Sequence, residues 1–342
     1  MVSCCSVFYI IAEIMIQPSF DFQTLDPETV LDALWNTGIR VDSGLTPLNS
    51  YENRVWQFSD EDRKRYVAKF YRPQRWSLEQ LHEEHQFTQE LAEANLAVAA
   101  PLSFHGTTVQ QTEGIAFAIF PSLGGRQYEI DNYDHLEQAA QTLARIHQVG
   151  RQYQFRHRPS LGLDEYFHQP LTLLRETSLI PAALQADFIT ALSGLGAQLT
   201  RLWHTDWDVL RLHGDCHPGN ILWRDGPLFV DLDDARNGPA VQDLWMLVSG
   251  DLNEQRVQWD ILLECYTELT EFNINELSLI EPLRAMRMVY YLAWVVRRWQ
   301  DPAFPKAFPW FEEADFWRRQ IAEIHAQTAL LQSPPSLMMP QF

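Results

Sequence analysis

Residues 212–223 read LHGDCHPGNILW, and residues 228–234 read LFVDLDD. Each stretch contains a short apolar run of the kind that forms a buried strand, and polar residues fill the loop between the runs. Asp215 precedes Asn220 by five residues, and Asp231 directly follows the second apolar run. The pattern predicts short strands that carry carboxylate and amide side chains to one common end.

These side chains suit phosphoryl transfer from ATP. That reaction needs a carboxylate to orient the attacking hydroxyl and oxygen ligands for the magnesium that bridges the phosphates. Asp215 suits the first role, and Asn220 with Asp231 suits the second, because magnesium prefers hard oxygen donors. A zinc site is disfavoured, since the spacing of His213 and His217 matches no closed zinc motif.

The region before this stretch is predicted to be mixed α/β. Two alternating runs, 54–58 and 66–71, are separated by a charged turn and predict an antiparallel hairpin. Residues 114–120 form an apolar run that suits a buried strand, and helical spacing covers 26–38 and 77–94.

After Gly125 the pattern becomes helical, interrupted by a strand-rich segment at 209–230. Helices are predicted at 134–149, 181–204, 257–271 and 278–299. The expected fold is α+β and bilobed, with a small antiparallel-sheet lobe and a larger helical lobe. We predict an unstructured N-terminal extension over 1–19, a nucleotide-binding lobe over 20–123, and a helical lobe with the catalytic loop over 124–335.

Composition limits the possible partners. Lys and Arg number 26 against 45 Asp and Glu, so the formal net charge is −19. Nucleic acid and anionic membranes would repel such a chain, and neither is expected as a partner. The four cysteines are too few and too scattered for a disulfide framework, which favours a reducing compartment.

Neither end of the chain predicts export or membrane insertion. The apolar run at 7–12 has no preceding Lys or Arg and is interrupted by Glu13, unlike a secretory signal. Met15 is an alternative start, which would make 1–14 an upstream extension. The apolar segment 288–296 is about half a membrane span and is bracketed by arginines, so we interpret it as a buried helix.

The motif HGDCHPGN with VDLDD resembles the aminoglycoside phosphotransferase and choline kinase superfamily, a branch of the protein-kinase-like fold. The catalytic loop of that superfamily is His-Gly-Asp with an Asn five residues after the Asp. GPAVQDLW at 238–245 is similar to its downstream Gly-Pro…Asp element. The resemblance implies that Asp243 anchors the catalytic loop by hydrogen bonds without touching substrate.

A closer resemblance covers the chain from Phe20 to its C-terminus. The strings that carry it are LTPLNSYENRV, KFYRP, EEHQF, LRLHGDC, GNILWRDGP, FVDLDDARNGPAVQDLWML and RAMR. They are similar to those of the bacterial stress response kinase A family, whose members are cytoplasmic Ser/Thr protein kinases linked to stress survival. Residues 1–14 lie outside the resemblance.

Carried over residue by residue, this resemblance implies roles in the motifs above. Asp215 would be the proton acceptor, and Asn220 and Asp231 would be the Mg²⁺ ligands. Asp233 would be an added acid near the metal. The stretch between Asp231 and Gly238 is short and has no Ser or Thr, so an activation loop with a phosphorylation site is not expected.

The resemblance also implies nucleotide contacts in the small lobe. Ser50 would lie in the loop over the ATP phosphates, and Lys69 would pair with phosphate oxygens. Glu84 would hold that lysine, with Glu83 as the alternative because the helix register is open. The loop at 46–54 contains no glycine, so side chains or short turns must replace the backbone cradle of a Gly-rich loop.

Together these features predict a monomeric, cytoplasmic Ser/Thr protein kinase that uses ATP and Mg²⁺ and acts on proteins in the stress response. The first alternative is a phosphotransferase on the same fold that acts on an amino alcohol, a sugar or an aminoglycoside. The second is a nucleotide-binding regulatory module without catalysis. Two further residues have structural interpretations. We interpret His147 as a packed or hydrogen-bonded core histidine and Cys216 as a plain loop cysteine, with an oxidation switch as the alternative for Cys216.

Overall fold

The computed structural model describes residues 22–337. The extension predicted for residues 1–19, Met15 included, lies outside the described residues. The strands are β1 (Thr46–Pro47), β2 (Arg54–Ser59), β3 (Arg65–Phe70), β4 (Gln110–Thr112), β5 (Ile115–Pro121), β6 (Arg126–Gln127), β7 (Leu210–Leu212), β8 (Ile221–Trp223), β9 (Pro227–Phe229) and β10 (Arg236–Gly238). The helices are α1 (Pro27–Asn36), α2 (Leu78–Glu93), α3 (Tyr133–Gly150), α4 (Gln169–Glu176), α5 (Ala182–Leu202), α6 (Val241–Leu244), α7 (Leu252–Thr267), α8 (Ile280–Arg298), α9 (Ala303–Ala307) and α10 (Ala314–Gln332).

A five-stranded antiparallel sheet forms the small lobe, in the order β1-β2-β3-β5-β4. Strands β2 and β3 form the predicted hairpin, with Arg54 opposite Phe70 and Ser59 opposite Arg65. The predicted strand at 114–120 is β5, which pairs with β3 on the opposite edge from β2. The hairpin therefore lies inside the sheet, where its position is fixed from both sides.

Alternation along β3 decides which side chains reach the space between the lobes. Ala68 and Phe70 are buried in a core with Leu34 of α1 and Phe117 of β5. Because successive side chains of a strand point to opposite faces, Lys69 lies on the other face. That face is turned away from α1 and toward the large lobe.

The large lobe is helical around one extensive apolar core. The predicted helices at 134–149, 181–204 and 278–299 are confirmed as α3, α5 and α8. The helix predicted at 257–271 begins and ends earlier, at Leu252 and Thr267, because Asp251 caps its N-terminus by accepting hydrogen bonds from the N–H groups of residues 253 and 254. The sequence patterns did not single out α10, which packs against α5.

The apolar segment 288–296 lies inside α8, where Val289, Leu292 and Val295 are buried. Within residues 22–337, the search for a helix long and apolar enough to cross a membrane finds none. The interpretation of this segment as a buried helix is therefore confirmed.

Three short strand pairings position the sequence motifs of the large lobe. β7 pairs with β10, and β8 forms a hairpin with β9 in a sheet that also includes β6. Residues 213–220, which we call the HGD loop, connect β7 to β8. Phe87 and Leu91 of α2 pack in the core of the large lobe, so the lobes adjoin along this helix. The division at residue 123 stays a prediction.

Candidate active site

A buried carboxylate, that of Asp243, holds the backbone of the HGD loop in place. Asp243 is fully buried and accepts hydrogen bonds from the backbone N–H groups of His213 at 2.8 Å and Gly214 at 2.9 Å. Its Oδ2 also lies 3.1 Å from Nε2 of His147, whose Nδ1 contacts the Tyr266 hydroxyl at 2.8 Å. The predicted anchoring by Asp243 and the interpretation of His147 as a hydrogen-bonded core histidine are both confirmed.

Gly214 has a structural reason to be glycine. Its φ is +86°, a conformation that residues with a Cβ rarely adopt. A Cβ atom at this position would lie 2.1 Å from the carbonyl oxygen of Asp234. The HGD loop and the segment after β9 therefore approach each other backbone to backbone, which brings Asp215 and Asp231 into the same region.

Asp215 lies between two basic side chains. Arg287 of α8 donates to its Oδ1 at 2.7 Å, and Nε2 of His217 lies 3.4 Å from its Oδ2. Burial opposes ionisation of this carboxyl, but the contact with His217 and the charge of Arg287 outweigh burial and hold the Asp215 pKa well below its usual range. Asp215 is therefore an ionised carboxylate with a fixed orientation.

Asn220 is oriented by the same loop. Its Nδ2 donates to the backbone carbonyl of Asp215 at 2.9 Å and lies 3.5 Å from Oδ2 of that residue. The amide nitrogen is thus turned toward Asp215, which leaves the amide oxygen of Asn220 as the available metal donor.

Asp231 occupies a strained backbone position. Its φ is 62° and its ψ is 63°, in the left-handed region that few non-glycine residues occupy. The side chain is 51% exposed, and its Oδ1 accepts a hydrogen bond from Nζ of Lys69 at 2.6 Å. The unusual backbone directs this carboxylate out of the large lobe and toward the lysine of the small lobe.

A cavity of about 420 Å³ lies between the two lobes. Its lining includes five of the six residues that the sequence singled out: Ser50, Lys69, Glu84, Asn220 and Asp231. The apolar part of the lining comes from both lobes and includes Val55, Val67, Phe120, Leu222, Val230 and Leu232. An apolar wall beside a cationic side chain and oxygen donors is suited to a nucleotide, whose base has apolar faces and whose phosphates are anionic.

The sixth residue, Asp215, is not among those that line this cavity. It is connected to the cavity through Asn220, which lines the cavity and contacts Asp215. The HGD loop thus contributes Gly219 and Asn220 to the cavity lining, whereas Asp215 lies outside it.

Lys69 is buried between opposite charges. Its Nζ lies 2.6 Å from Oδ1 of Asp231 and 3.2 Å from Oδ1 of Asp233. Burial opposes the charge of Lys69, but these carboxylates outweigh it and raise its pKa above the ordinary value. Lys69 is therefore a permanent cation at the end of the cavity where Asp231 lies.

Glu84 rather than Glu83 faces Lys69. Glu84 is buried in the cavity wall, and its Oε2 has no hydrogen-bond partner among the described residues. Within residues 22–337, no ion pair shorter than 4.0 Å joins it to Lys69. Burial raises the Glu84 pKa to about 7, although the charges of Lys69 and Arg158 act in the opposite direction.

Glu83 has a different task. Its carboxylate accepts hydrogen bonds from the backbone N–H groups of Arg156, His157 and Arg158 at 2.7, 2.9 and 2.8 Å. It therefore ties α2 to the loop after α3. The register of α2 separates the two glutamates, because consecutive helical residues point about 100° apart.

Asp233, the added acid of the sequence motif, is buried among basic side chains of the small lobe. Its Oδ2 accepts from Arg75 at 2.5 Å and from Nδ2 of Asn53 at 3.1 Å, and its Oδ1 forms the ion pair with Lys69. Burial opposes its ionisation, but Lys69, Arg75 and Arg158 hold the Asp233 pKa well below its usual range. These contacts make Asp233 a link between the lobes, and its place near the metal stays a prediction.

The loop between β1 and β2, residues 48–53, covers one side of the cavity without any glycine. Ser50 lines the cavity, and its Oγ accepts from the N–H of Asn53 at 3.3 Å. The Arg72 guanidinium group stabilises the loop by donating hydrogen bonds to the backbone carbonyl oxygens of Tyr51 and Glu52, both at 2.9 Å. Arg72 belongs to the KFYRP string, and local sequence patterns indicate no role for it.

Glu52 attaches this loop to the large lobe. Its Oε2 accepts from the Trp294 indole N–H at 2.7 Å, and its Oε1 pairs with Arg298 at 2.6 Å. Burial opposes its ionisation, but the nearby arginines keep the Glu52 pKa below its ordinary value. Glu52, Trp294, Arg298 and Arg287 were missed as site residues, since their partners are far away in the sequence.

The donor set fits a hard divalent cation. Asn220 offers an amide oxygen and Asp231 a carboxylate, and both line the cavity. Among the described residues, no group of three or more His, Cys, Asp or Glu could hold a metal by itself. This agrees with a nucleotide-associated cation, which takes one or two protein ligands and completes its shell with phosphate and water oxygens.

Cys216 has the features of a structural thiol. It is fully buried beside Asp215, and burial raises its pKa well above the ordinary value. Since the thiolate is the reactive form, the oxidation switch is disfavoured and the interpretation as a plain loop cysteine is supported.

Comparison with known proteins agrees with this geometry. The model of the phosphotransferase enzyme family matches residues 44–272, which contain all six candidate residues. The chain belongs to this family. It is also 58% identical to stress response kinase A of Escherichia coli K12 over 324 residues, covering 95% of this chain and 99% of the relative. A Salmonella typhimurium relative called serine/threonine protein kinase RdoA is 57% identical over the same shares.

Membership of the stress response kinase A group within this family makes the chain an ATP-dependent phosphotransferase, with a divalent metal accompanying the nucleotide. A solved structure of an amicoumacin kinase, hAmiN, in complex with AMP-PNP, Ca²⁺ and Ami has the same fold. It superposes with a TM-score of 0.70 at 20% identity and covers 89% of this chain and 94% of that one. The bilobed α+β kinase-like fold expected from the sequence is thereby confirmed.

Proposed function

We propose that this family member transfers the γ-phosphoryl group of Mg-ATP to Ser or Thr hydroxyls of proteins in the stress response. The observation that carries the proposal is the position of Asp215. Its ionised carboxylate is oriented by Arg287, and Asn220 connects Asp215 to the cavity that Lys69 and Asp231 line. The name of the 57% identical relative, serine/threonine protein kinase, supports the choice of acceptor.

In the proposed reaction the acceptor hydroxyl donates a hydrogen bond to Asp215. The hydroxyl oxygen attacks the γ-phosphorus, the bond to the β-phosphate oxygen breaks, ADP leaves, and the hydroxyl proton passes to Asp215. A carboxylate of low pKa is a weak base, so it accepts this proton late and acts mainly by orienting the hydroxyl.

The other site residues handle the phosphates. Lys69 would neutralise phosphate oxygens, with Glu84 orienting its ammonium group. Asn220 and Asp231 would hold Mg²⁺, which supplies positive charge against the phosphates. Ser50 would lie over the phosphates from the 48–53 loop. Of these groups, Lys69 already lies beside Asp231, so a bound nucleotide would meet a preassembled set of charges.

We also propose that the protein is a monomer, that it is located in the cytoplasm, and that the lobes divide between residues 123 and 124.

The experiment is transfer of labelled γ-phosphate from Mg-ATP by the wild type and by Asp215→Asn. We expect the substitution to keep ATP binding and to lower turnover by about 10²-fold or more, since it removes the proton acceptor. Asp225→Asn is the matched control, because Asp225 is exposed in the β8–β9 turn, where its φ of 58° also suits Asn. Near-normal transfer by Asp215→Asn would overturn the proposed role.

A small-molecule acceptor is the second candidate function. This fold is shared with the amicoumacin kinase reported above, which at 20% identity shows the fold alone. Amino alcohols, sugars and aminoglycosides therefore belong in the acceptor panel, and label on one of them in place of protein would favour this candidate.

A further inference from the structure

Helix α8 presents a line of side chains beside Asp215. Arg284, Arg287, Tyr291, Trp294 and Arg298 are spaced three or four residues apart and so share one helix face. At one place on this face Arg287 contacts Asp215, and further along it Trp294 and Arg298 contact the 48–53 loop. The face therefore runs from the proposed proton acceptor to the proposed phosphate loop.

This face lies outside the nucleotide cavity. The cavity lining contains Asn220 and Asp231 but no residue of α8, and it does not include Asp215. In phosphoryl transfer the attacking and leaving oxygens lie roughly in line, on opposite sides of the transferred phosphorus. The acceptor must then approach Asp215 from the side away from the cavity, where Arg287 lies.

The carboxylates of Glu52 and Glu281, which contact arginines on this face of α8, are paired with those arginines. Glu52 pairs with Arg298 at 2.6 Å, and Glu281 pairs with Arg284 at 3.2 Å. A cationic acceptor needs unpaired carboxylates to bind it, and these two are occupied.

Asp234 and Glu165 are two further acidic side chains that pair with arginines. Asp234 pairs with Arg75 at 2.8 Å and with Arg236 at 3.0 Å, and Glu165 pairs with Arg236 at 3.0 Å. Each of these four carboxylates is therefore already paired with an arginine.

Arg287 itself has unused binding capacity. Its side chain is 44% exposed, and its NH1 contacts Oδ1 of Asp215 at 2.7 Å and the Met246 sulfur at 3.9 Å. Among the described residues, its Nε and NH2 groups donate no hydrogen bond. A guanidinium group carries five N–H donors in a planar fork, so a second carboxylate can bind while the contact with Asp215 is kept.

We infer that Arg287 selects the acceptor by binding a carboxylate next to the reacting hydroxyl, so that Ser or Thr residues flanked by Asp or Glu are the favoured substrates. The inference rests on the proposed protein-kinase function and specifies its substrate class. The same arginine would repel a cationic acceptor such as an aminoglycoside or an amino alcohol. Arg287 is thus an acceptor-selecting residue that also orients Asp215.

The test compares two peptides with a single serine, flanked by two aspartates in one and by two lysines in the other. Transfer is measured for the wild type, Arg287→Ala, Arg287→Glu and the control Arg284→Ala, whose own partners are Glu281 and Gln255. The ratio of kcat/KM for the acidic over the basic peptide is the readout, because a general loss of activity cancels in it. Binding is measured in parallel by fluorescence anisotropy of labelled peptides with a non-hydrolysable ATP analogue.

We expect the wild type to prefer the acidic peptide by about tenfold or more, as a charge-assisted hydrogen bond implies. Arg287→Ala should abolish the preference with the KM for ATP unchanged, Arg287→Glu should reverse it, and Arg284→Ala should retain it. An unchanged ratio in both Arg287 variants would overturn the inference, as would a wild type that binds the acidic peptide no better than the basic one.

Failure of the protein-kinase proposal gives a different pattern. In that case the wild type labels small molecules and neither peptide. The preference for acceptor charge is then measured by comparing the labelling of anionic and cationic small molecules. Label on anionic sugars would support the role of Arg287, and label on aminoglycosides or amino alcohols would overturn it.

Discussion

Glu52 of the small lobe and Arg298 of α8 form an ion pair of 2.6 Å across the two lobes. The side chains are only 12% and 15% exposed, so the pair is largely removed from water. A glycine-rich loop binds phosphate with its own backbone, whereas here an acidic side chain fixes the loop to the opposite lobe. The position of Ser50 over the cavity therefore depends on this contact.

Removing the charge of Glu52 should weaken both folding and nucleotide binding. For Glu52→Gln we expect a loss of about 2 kcal/mol in the free energy of unfolding, because Arg298 is left buried without its counter-charge. The KM for ATP should rise by several-fold as the loop loosens. Chemical denaturation and steady-state kinetics measure the two effects. Glu129→Gln is the control, since the ion pair of Glu129 with Arg126, 3.5 Å long, is exposed to solvent. Equal losses of stability and of ATP affinity in both variants would show that the Glu52–Arg298 pair does not hold the loop.

Substitution of Gly214 should damage the HGD loop directly. In Gly214→Ala the new Cβ would meet the Asp234 carbonyl at 2.1 Å and would sit at a φ of +86°. We expect a loss of about 2 kcal/mol or more in stability, together with most of the transfer activity, because the backbone must shift. Gly194→Ala is the matched control: nothing lies within 4 Å of its Cβ in the exposed part of α5, so it should gain up to about 1 kcal/mol. Full activity in Gly214→Ala would refute the close approach.

The buried carboxyl of Glu84 should make stability depend on pH. Burial raises its folded-state pKa to about 7, above the unfolded value of 4.5, so the folded protein holds its proton longer. This group therefore makes stability fall as pH rises from about 4.5 to 7. In Glu84→Gln that contribution disappears, and the variant should be more stable than the wild type at pH 8 and closer to it at pH 5.

The activity of Glu84→Gln should change in the opposite direction. Without a charge to orient Lys69, turnover should fall while stability at pH 8 rises, a trade-off typical of functional sites. Measurements of Tm at pH 5 and pH 8, and of turnover at pH 8, test both expectations for Glu84→Gln. A variant that is less stable at pH 8 and fully active would contradict the assignment.

Asp231→Ala should weaken the metal-dependent part of ATP affinity. Calorimetric titration at low and high Mg²⁺ should show a strong Mg²⁺ dependence in the wild type and a much smaller one in the variant. The variant also frees Lys69 from one partner, so affinity for metal-free ATP should be retained or increased. An unchanged Mg²⁺ dependence would remove Asp231 from the metal site.

Local sequence spacing predicted the motifs that lie close together along the chain. Asp215 and Asn220 are five residues apart on one loop, so their proximity follows from the sequence alone. The alternating apolar and polar residues at 66–71 likewise predicted that Lys69 lies on the second strand of the hairpin. In contrast, the choice between Glu83 and Glu84 depends on how α2 is rotated against the sheet, which no local pattern encodes.

Contacts between distant segments could not be predicted in this way. Arg287 is 72 residues from Asp215, and Arg298 is 246 residues from Glu52. Both arginines belong to an apolar-rich helix whose pattern indicates only that it is buried. Their partners follow from the packing of α8 against the HGD loop and the small lobe, which is a property of the whole fold.

The most direct test of the account is the chemical identity of the labelled product. Purified wild type and Asp215→Asn are incubated with labelled Mg-ATP and an acidic protein substrate, and the labelled protein is hydrolysed for phosphoamino-acid analysis. We expect phosphoserine or phosphothreonine from the wild type and almost none from the variant. Label found only on small-molecule acceptors, or equal labelling by the variant, would contradict it.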